Sequence, residues 1–287
     1  MASAAPALKT PEEHERYLAD SIRLLLWFGH RWSKDHPAED FRSILEERVD
    51  IFCKTDLNKT GLYEWAKPGD DPEWKRMMEQ VLEIKASLGP DEHGHFEEKA
   101  FGVFKPRIKG RIDRDLEAVN SAEALKAGLK GPFWWDKKFL SEEKKAINFH
   151  IYNSLYPGSI FKDPLYLPRF FIVMLDESER TMGAKVLSTL TWLNNLDRWN
   201  GCFPSEWKSG MGQPDADVQG HLGFWGQIVT SRQTLNYSVC EDIRRTGRLP
   251  YPMIRSWCDF GSMRKHLAEK FGLRGKFDPL KNKERTQ

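Results

Sequence analysis

Residues 167–199 read LPRFFIVMLDESERTMGAKVLSTLTWLNNLDRW, and the interpretation of this stretch decides the fold. Phe170, Phe171, Ile172, Val173, Met174 and Leu175, then Val186, Leu187, Leu190, Trp192, Leu193 and Leu196, put apolar side chains on nearly every side of a helix. That is the mark of an interior element. One helix of this length is unusual in a compact domain, so Gly183 reads as a break and the stretch predicts two consecutive central helices.

Helical signals continue outward from this centre. Thr10, Pro11 and Glu13 form a capping box with proline at the first helical position, which predicts a helix from Pro11 to about Trp32. Pro37 opens a second, in which Phe41, Ile44, Leu45, Val49 and Phe52 share one face. Asp71 and Pro72 start a third, carrying Trp74, Met77, Met78, Val81 and Leu82 before Gly89-Pro90 ends it. From Gly89 to Gly110 no apolar period survives, and the expectation is a loop with at most one short strand. A weak helix is expected near 114–129, another from Ser141 through Leu155, a long one from Asp215 or Asp217 to Gly247, and a last one from Pro252 to Gly272. Strand patterns are too short and scattered for a Rossmann sheet or a barrel. The fold expected is therefore all-α, a compact multi-helix single domain over 1–287, with an irregular loop insertion near residues 89–112 and flexible termini at 1–9 and 276–287.

Composition narrows the function classes. Lys plus Arg number 44 against 42 Asp plus Glu, a balance that gives no whole-chain attraction to nucleic acid or to an anionic membrane. The longest apolar runs fall far short of the roughly 20 residues that span a bilayer as a helix, and the first residues lack the basic and apolar segments of a secretory signal. A soluble, cytoplasmic chain without membrane insertion is expected. Cys53, Cys202, Cys240 and Cys258 are too dispersed for a zinc ribbon or a redox pair and read as reduced thiols, so the glycosylation patterns at Asn58 and Asn236 carry no weight.

Asp70-Asp71-Pro72-Glu73 stands at a helix entrance, where acids cap, and no second array completes the magnesium site of a class I terpene synthase. Asp91-Glu92-His93-Gly94-His95 places two imidazoles near two carboxylates, but reads first as a polar surface loop. No phosphate loop is present, Gly220, Gly223 and Gly226 suit close helix packing ahead of a pocket wall, and no serine sits in a nucleophile elbow. The carboxylate and histidine ligands of a diiron oxygenase do not assemble at helical spacing either. No metal and no cofactor is expected.

What remains is polar groups interrupting apolar helices. His221, Trp225, Ile228, Arg232, Leu235 and Val239 step by three or four, so one helix would carry Arg232 into an apolar face. His150 lies beside Ile147 and Ile151 with Asn153 one turn away, and an imidazole titrating near about 6.5 suits proton transfer. Eleven tryptophans supply aromatic surface, with Trp192, Trp199 and Trp225 in or beside the central helices. The leading expectation is a metal-independent enzyme that isomerises, cyclises or eliminates a hydrophobic oxygenated small molecule in an aromatic-lined pocket. His150, His221 and Arg232 are its catalytic candidates, and Trp192, Asn194, Trp225 and Asn236 its substrate-binding ones. The alternative is a nonenzymatic helical binding or scaffold protein whose exposed aromatics dock a partner. An aromatic cavity with convergent polar groups favours the enzyme, and an exposed apolar surface patch favours the scaffold.

Overall fold

The Thr10 hydroxyl accepts the Glu13 amide while the Glu13 carboxylate accepts the Thr10 amide, and from this box helix α1 runs Pro11–Asp35 in a computed structural model. The structure describes residues 10–49, 51–59, 66–120, 131–135, 145–155, 158–220 and 222–274. These residues cluster into two compact units, one drawn from Leu8–Ser121 and Asp217–Pro250, the other from Ala122–Ala216 and Tyr251–Gln287.

The first unit is helical. Helix α1 buries Leu18, Ile22, Leu25 and Gly29 at three-and-four spacing, and Gly29 is small because a Cβ there would lie 2.8 Å from Leu45 Cδ2. Short α2, Phe41–Ser43, continues as a π turn over Ile44–Arg48. Helix α3, Pro72–Ala86, is capped by Asp71 and buries Trp74, Met77, Met78 and Val81. Helices α4, His93–Phe104, and α5, Lys109–Asn120, follow, with a 3-10 turn at Lys105–Arg107 between them. The expected loop near 89–112 is thus helix. Its buried face of His93, Phe96, Ala100 and Phe104 is regular, and Gly94 and Gly102 sit on the solvent side with nothing near them, so they interrupt the composition without interrupting the packing.

The second unit holds the sheet, and the all-α expectation is corrected there: the fold is mixed α/β. Strands β1, Phe133–Trp135, β2, Ala146–Ile151, β3, Val186–Thr191, and β4, Ile254–Asp259, lie side by side in that order. The β1–β2 and β3–β4 pairs are antiparallel and β2–β3 is parallel. Helix α6, Tyr166–Met182, makes the crossover between the parallel strands and ends on Gly183 in the left-handed conformation, so the break lies where the sequence placed it. The segment beyond it is a strand and not a second helix. Val186, Thr189 and Thr191 are β-branched, and β3 is nearly covered on both faces, so its apolar run shows no alternation to separate it from a buried helix.

The helix expected from Ser141 to Leu155 is likewise β2 over its described part, and residues 136–144 lie outside the described residues. The last expected helix opens as β4 and becomes helical only at α11, Phe260–Phe271, capped by Asp259 and closed by left-handed Gly272. One sheet face presents Phe133, Ile147, Phe149, Leu187 and Cys258 to a core shared with Phe171 and Met174 of α6, Met263 and Leu267 of α11, and Trp199, Phe203 and Trp207. Trp199 belongs to short α7, Asp197–Asn200, and Trp207 to short α8, Ser205–Ser209.

Candidate functional site

Pairing registers put Trp134, His150, Asn148, Ser188, Leu190, Trp257 and Arg255 on the sheet face opposite the core. Trp134 faces His150 across β1 and β2 and stacks on it, centroids 3.8 Å apart at 10°. Asn148 lies 3.1 Å from His150 Nε2 through its amide nitrogen and leaves its Oδ1 without a partner. It opposes Ser188, which opposes Trp257, while Leu190 opposes Arg255. Three interstrand spacings of about 4.8 Å and a two-residue offset along the strands put the outer tryptophans roughly 16 Å apart. Trp134 is 51% exposed, Trp257 41% and Leu190 38%, although each belongs to a residue type the core would bury. Arg255 is exposed and makes no ion pair among the described residues.

The sequence candidates do not assemble into one pocket. His150 is on this face, on a strand rather than a helix. Asn194 is buried and saturated: Oδ1 accepts from Trp199 Nε1 at 2.9 Å and Trp207 Nε1 at 3.0 Å, Nδ2 donates to the Ile254 carbonyl at 2.7 Å, and its own carbonyl accepts from Asn200. It organises the core of its unit and leaves no polar atom over for a substrate. Trp192 opens a 3-10 turn at Trp192–Asn195 and stacks on Tyr251.

The remaining candidates belong to the helical unit, and the long helix expected to align them is absent. Short α9, Leu222–Trp225, and a 3-10 turn at Gly226–Ile228 are followed by a bridge between Val229 and Leu235, then by α10, Tyr237–Thr246. Trp225 is buried edge-on against Phe28 at 5.1 Å and donates to the Arg48 carbonyl. Arg232 is exposed in the turn between Thr230 and Thr234 instead of entering an apolar face. Asn236 precedes α10, and its side-chain oxygen accepts from Ser238. His221 lies outside the described residues. A cleft of about 300 Å³ lined by Ile172, Arg264, Leu267 and Leu273 contains no aromatic ring and none of these candidates.

The histidine motif also divides. His93 is buried at the start of α4 with Nδ1 2.7 Å from His30 Nδ1, while His95 is exposed beside Glu92. Burial first, then the His93 and Lys85 charges, lowers the His30 pKa to about 4, so the pair shares one proton between two neutral rings near neutrality. Among the described residues no three histidine, cysteine or acidic side chains gather as metal ligands. The four thiols are buried and unbridged, and burial raises Cys202 and Cys240 to about 11, which leaves them protonated and unsuited to attack.

One constellation in the helical unit escaped the sequence reading. Arg107, Arg111 and Arg114 recur at four and three residues, with Asp115 next to the last, across the end of the segment expected as loop and the start of the helix expected near 114–129. Arg111 Nε is 2.7 Å from Asp115 Oδ1, and Asp115 Oδ2 is 2.9 Å from His14 Nε2 on α1. A helical period of charged rather than apolar residues was the available signal. No family model, no curated protein and no solved structure matches the chain. Among the described residues no helix is long and apolar enough to cross a membrane.

Proposed function

We propose that this chain is a nonenzymatic binding protein that docks a protein partner on the open face of its four-stranded sheet. The carrying observation is the exposure of Trp134, Leu190 and Trp257 on one face while the opposite face is packed. Tryptophan and arginine dominate the energetics of protein interfaces, because a rigid ring or a planar guanidinium gives contact area and directed hydrogen bonds at small entropic cost. The row between the indoles is polar, and the exposed Arg255 calls for a partner carboxylate. A partner surface with apolar pockets and acidic groups complements it.

The reading is tested by selecting a random-peptide display library on the intact chain and measuring the selected peptides by fluorescence anisotropy. Apolar peptides carrying Asp or Glu are expected, with affinity falling at least 30-fold in Trp134→Ala/Trp257→Ala. Peptides that bind this double variant unchanged would overturn the proposal, as would a single-stranded RNA oligomer saturating the face in their stead. The acid/base reading keeps one supporting feature, the His150 imidazole held on the same face by Trp134 and Asn148. Turnover of a hydrophobic oxygenated compound that disappears in His150→Gln is its test.

A further inference from the structure

We infer that the arginine cluster of the helical unit is a binding site for a phosphate-type oxyanion, independent of the sheet face. Three guanidiniums, Arg107, Arg111 and Arg114, stand with two carboxylates, Asp56 and Asp115. Asp115 is already divided between Arg111 and His14. Arg111 is only 2% exposed, yet Nη1 has no acceptor, and Nε approaches Asp115 out of hydrogen-bond line. Arg107 Nε stands in the same relation to Asp56 at 2.9 Å, and Arg114 Nε also lacks an acceptor. Buried, positively charged donors without acceptors are costly.

The surroundings are built to hold this charge in place. The Asp56 amide donates to the Arg107 carbonyl, and its carboxylate rests against Gly110, where a Cβ would come within 2.8 Å of Oδ2. Arg114 reaches the Thr55 carbonyl at 3.5 Å. Burial, and then the Arg111 charge, lower the Arg114 pKa, the sign of two guanidiniums that repel with too little negative charge between them. Lys54 is buried with its ammonium 5.6 Å from the Tyr17 ring, and Tyr17 stacks on His14. Arg107 and Arg114 are half-buried and give the cluster its access to solvent. A tetrahedral anion has enough acceptor oxygens for several guanidinium donors at once, which a single carboxylate lacks.

The test titrates the intact chain with inorganic phosphate, glycerol phosphate and acetate at constant ionic strength set by chloride, read by calorimetry and by thermal unfolding. Saturable binding of phosphate or of its monoester is expected, at least tenfold weaker in Arg114→Gln and undetectable in Arg111→Met, with the exposed Arg76→Gln unchanged. Tighter free phosphate identifies an inorganic ligand and a tighter monoester an organic phosphate; either result supports the site. Should Arg111→Met fail to fold, Arg114→Gln decides. Absence of saturable binding by both phosphates, full affinity in Arg114→Gln, or saturation by acetate alone would overturn the inference.

Discussion

The two units bury polarity in opposite ways. In the sheet unit the interior polar groups are neutral and centre on Asn194, whose own donors and acceptors meet two indoles, a strand carbonyl and the Asn200 amide, with the buried Asn200 Oδ1 left over. In the helical unit the interior holds the ionisable side chains of Arg111, Asp115, His14, His30 and His93, with donors left over. A satisfied neutral network specifies packing and responds little to solution conditions. A charged, partly satisfied one responds to pH and to anions. The comparison assigns the sheet unit's sensitivity to its packing and its chemistry to an outer face, while the helical unit's sensitivity lies inside.

The sharpest way to break the contrast is Asn194→Ala. It strands two buried indole N–H groups and a strand carbonyl, and should destabilise the sheet unit by about 3 to 5 kcal/mol, since each orphaned buried group costs roughly 1 to 3. Hydrogen exchange of the β3 amides measures it, and a loss below about 1 kcal/mol would show that the network is not what holds the core. Next in size is a pair in the helical unit. Asp115→Asn removes the carboxylate that Arg111 and His14 share and should cost about 3 kcal/mol or more, because a buried charge then stands uncompensated. Arg111→Met, which removes excess charge instead, should cost distinctly less in chloride buffer. Equal losses in urea unfolding would mean that the cluster is an ordinary ion pair.

Acid should separate the units further. His30 has a folded pKa depressed to about 4, and His93 is lowered too, by burial and then by Arg31, against an unfolded value near about 6.5. Protons therefore bind the unfolded chain first as pH falls, and the stability of the helical unit is lost between about 6.5 and 4, by up to about 1.4 kcal/mol per pH unit for each proton. His30→Phe should flatten that slope. The sheet unit carries a half-buried His266 lowered in the same direction and should show a shallower acid limb. In alkali the sign reverses for its thiols: Cys202, raised to about 11 by burial, and Cys258, raised by burial as well, contribute stability that is lost as pH climbs from about 9. Smallest on stability should be Trp134→Ala, about 1 kcal/mol from the lost stack on His150, with its large effect confined to binding.

The same contrast explains what could be read from the chain alone. Helix caps and stops are local chemistry, so Thr10, Asp71, Gly183, Gly247 and Gly272 mark real ends. Strands of three to six residues show too few periods to overrule a helical reading, and β3 hides its alternation because Ser188 is buried between the buried Leu187 and Thr189, leaving Leu190 alone exposed. Only β4 alternates throughout, Ile254, Ser256 and Cys258 buried with Arg255, Trp257 and Asp259 outward, yet its six residues run straight into α11. The candidate face joins β1 to β4, separated in the chain by more than a hundred residues, so no local spacing could reveal that Trp134 and Trp257 share it. Arg232 failed for a related reason: its helical stripe existed on paper, but the chain turns at Gln233 with φ 54° and carries it into solvent.

Hydroxyl-radical footprinting of the intact chain, with and without a peptide selected on it, tests the docking face most directly. Trp134 and Trp257 should both lose reactivity on binding, while Tyr237, equally exposed at 54% but on the helical unit, should keep its own. Protection of Tyr237 with both indoles still open to oxidation would contradict the account.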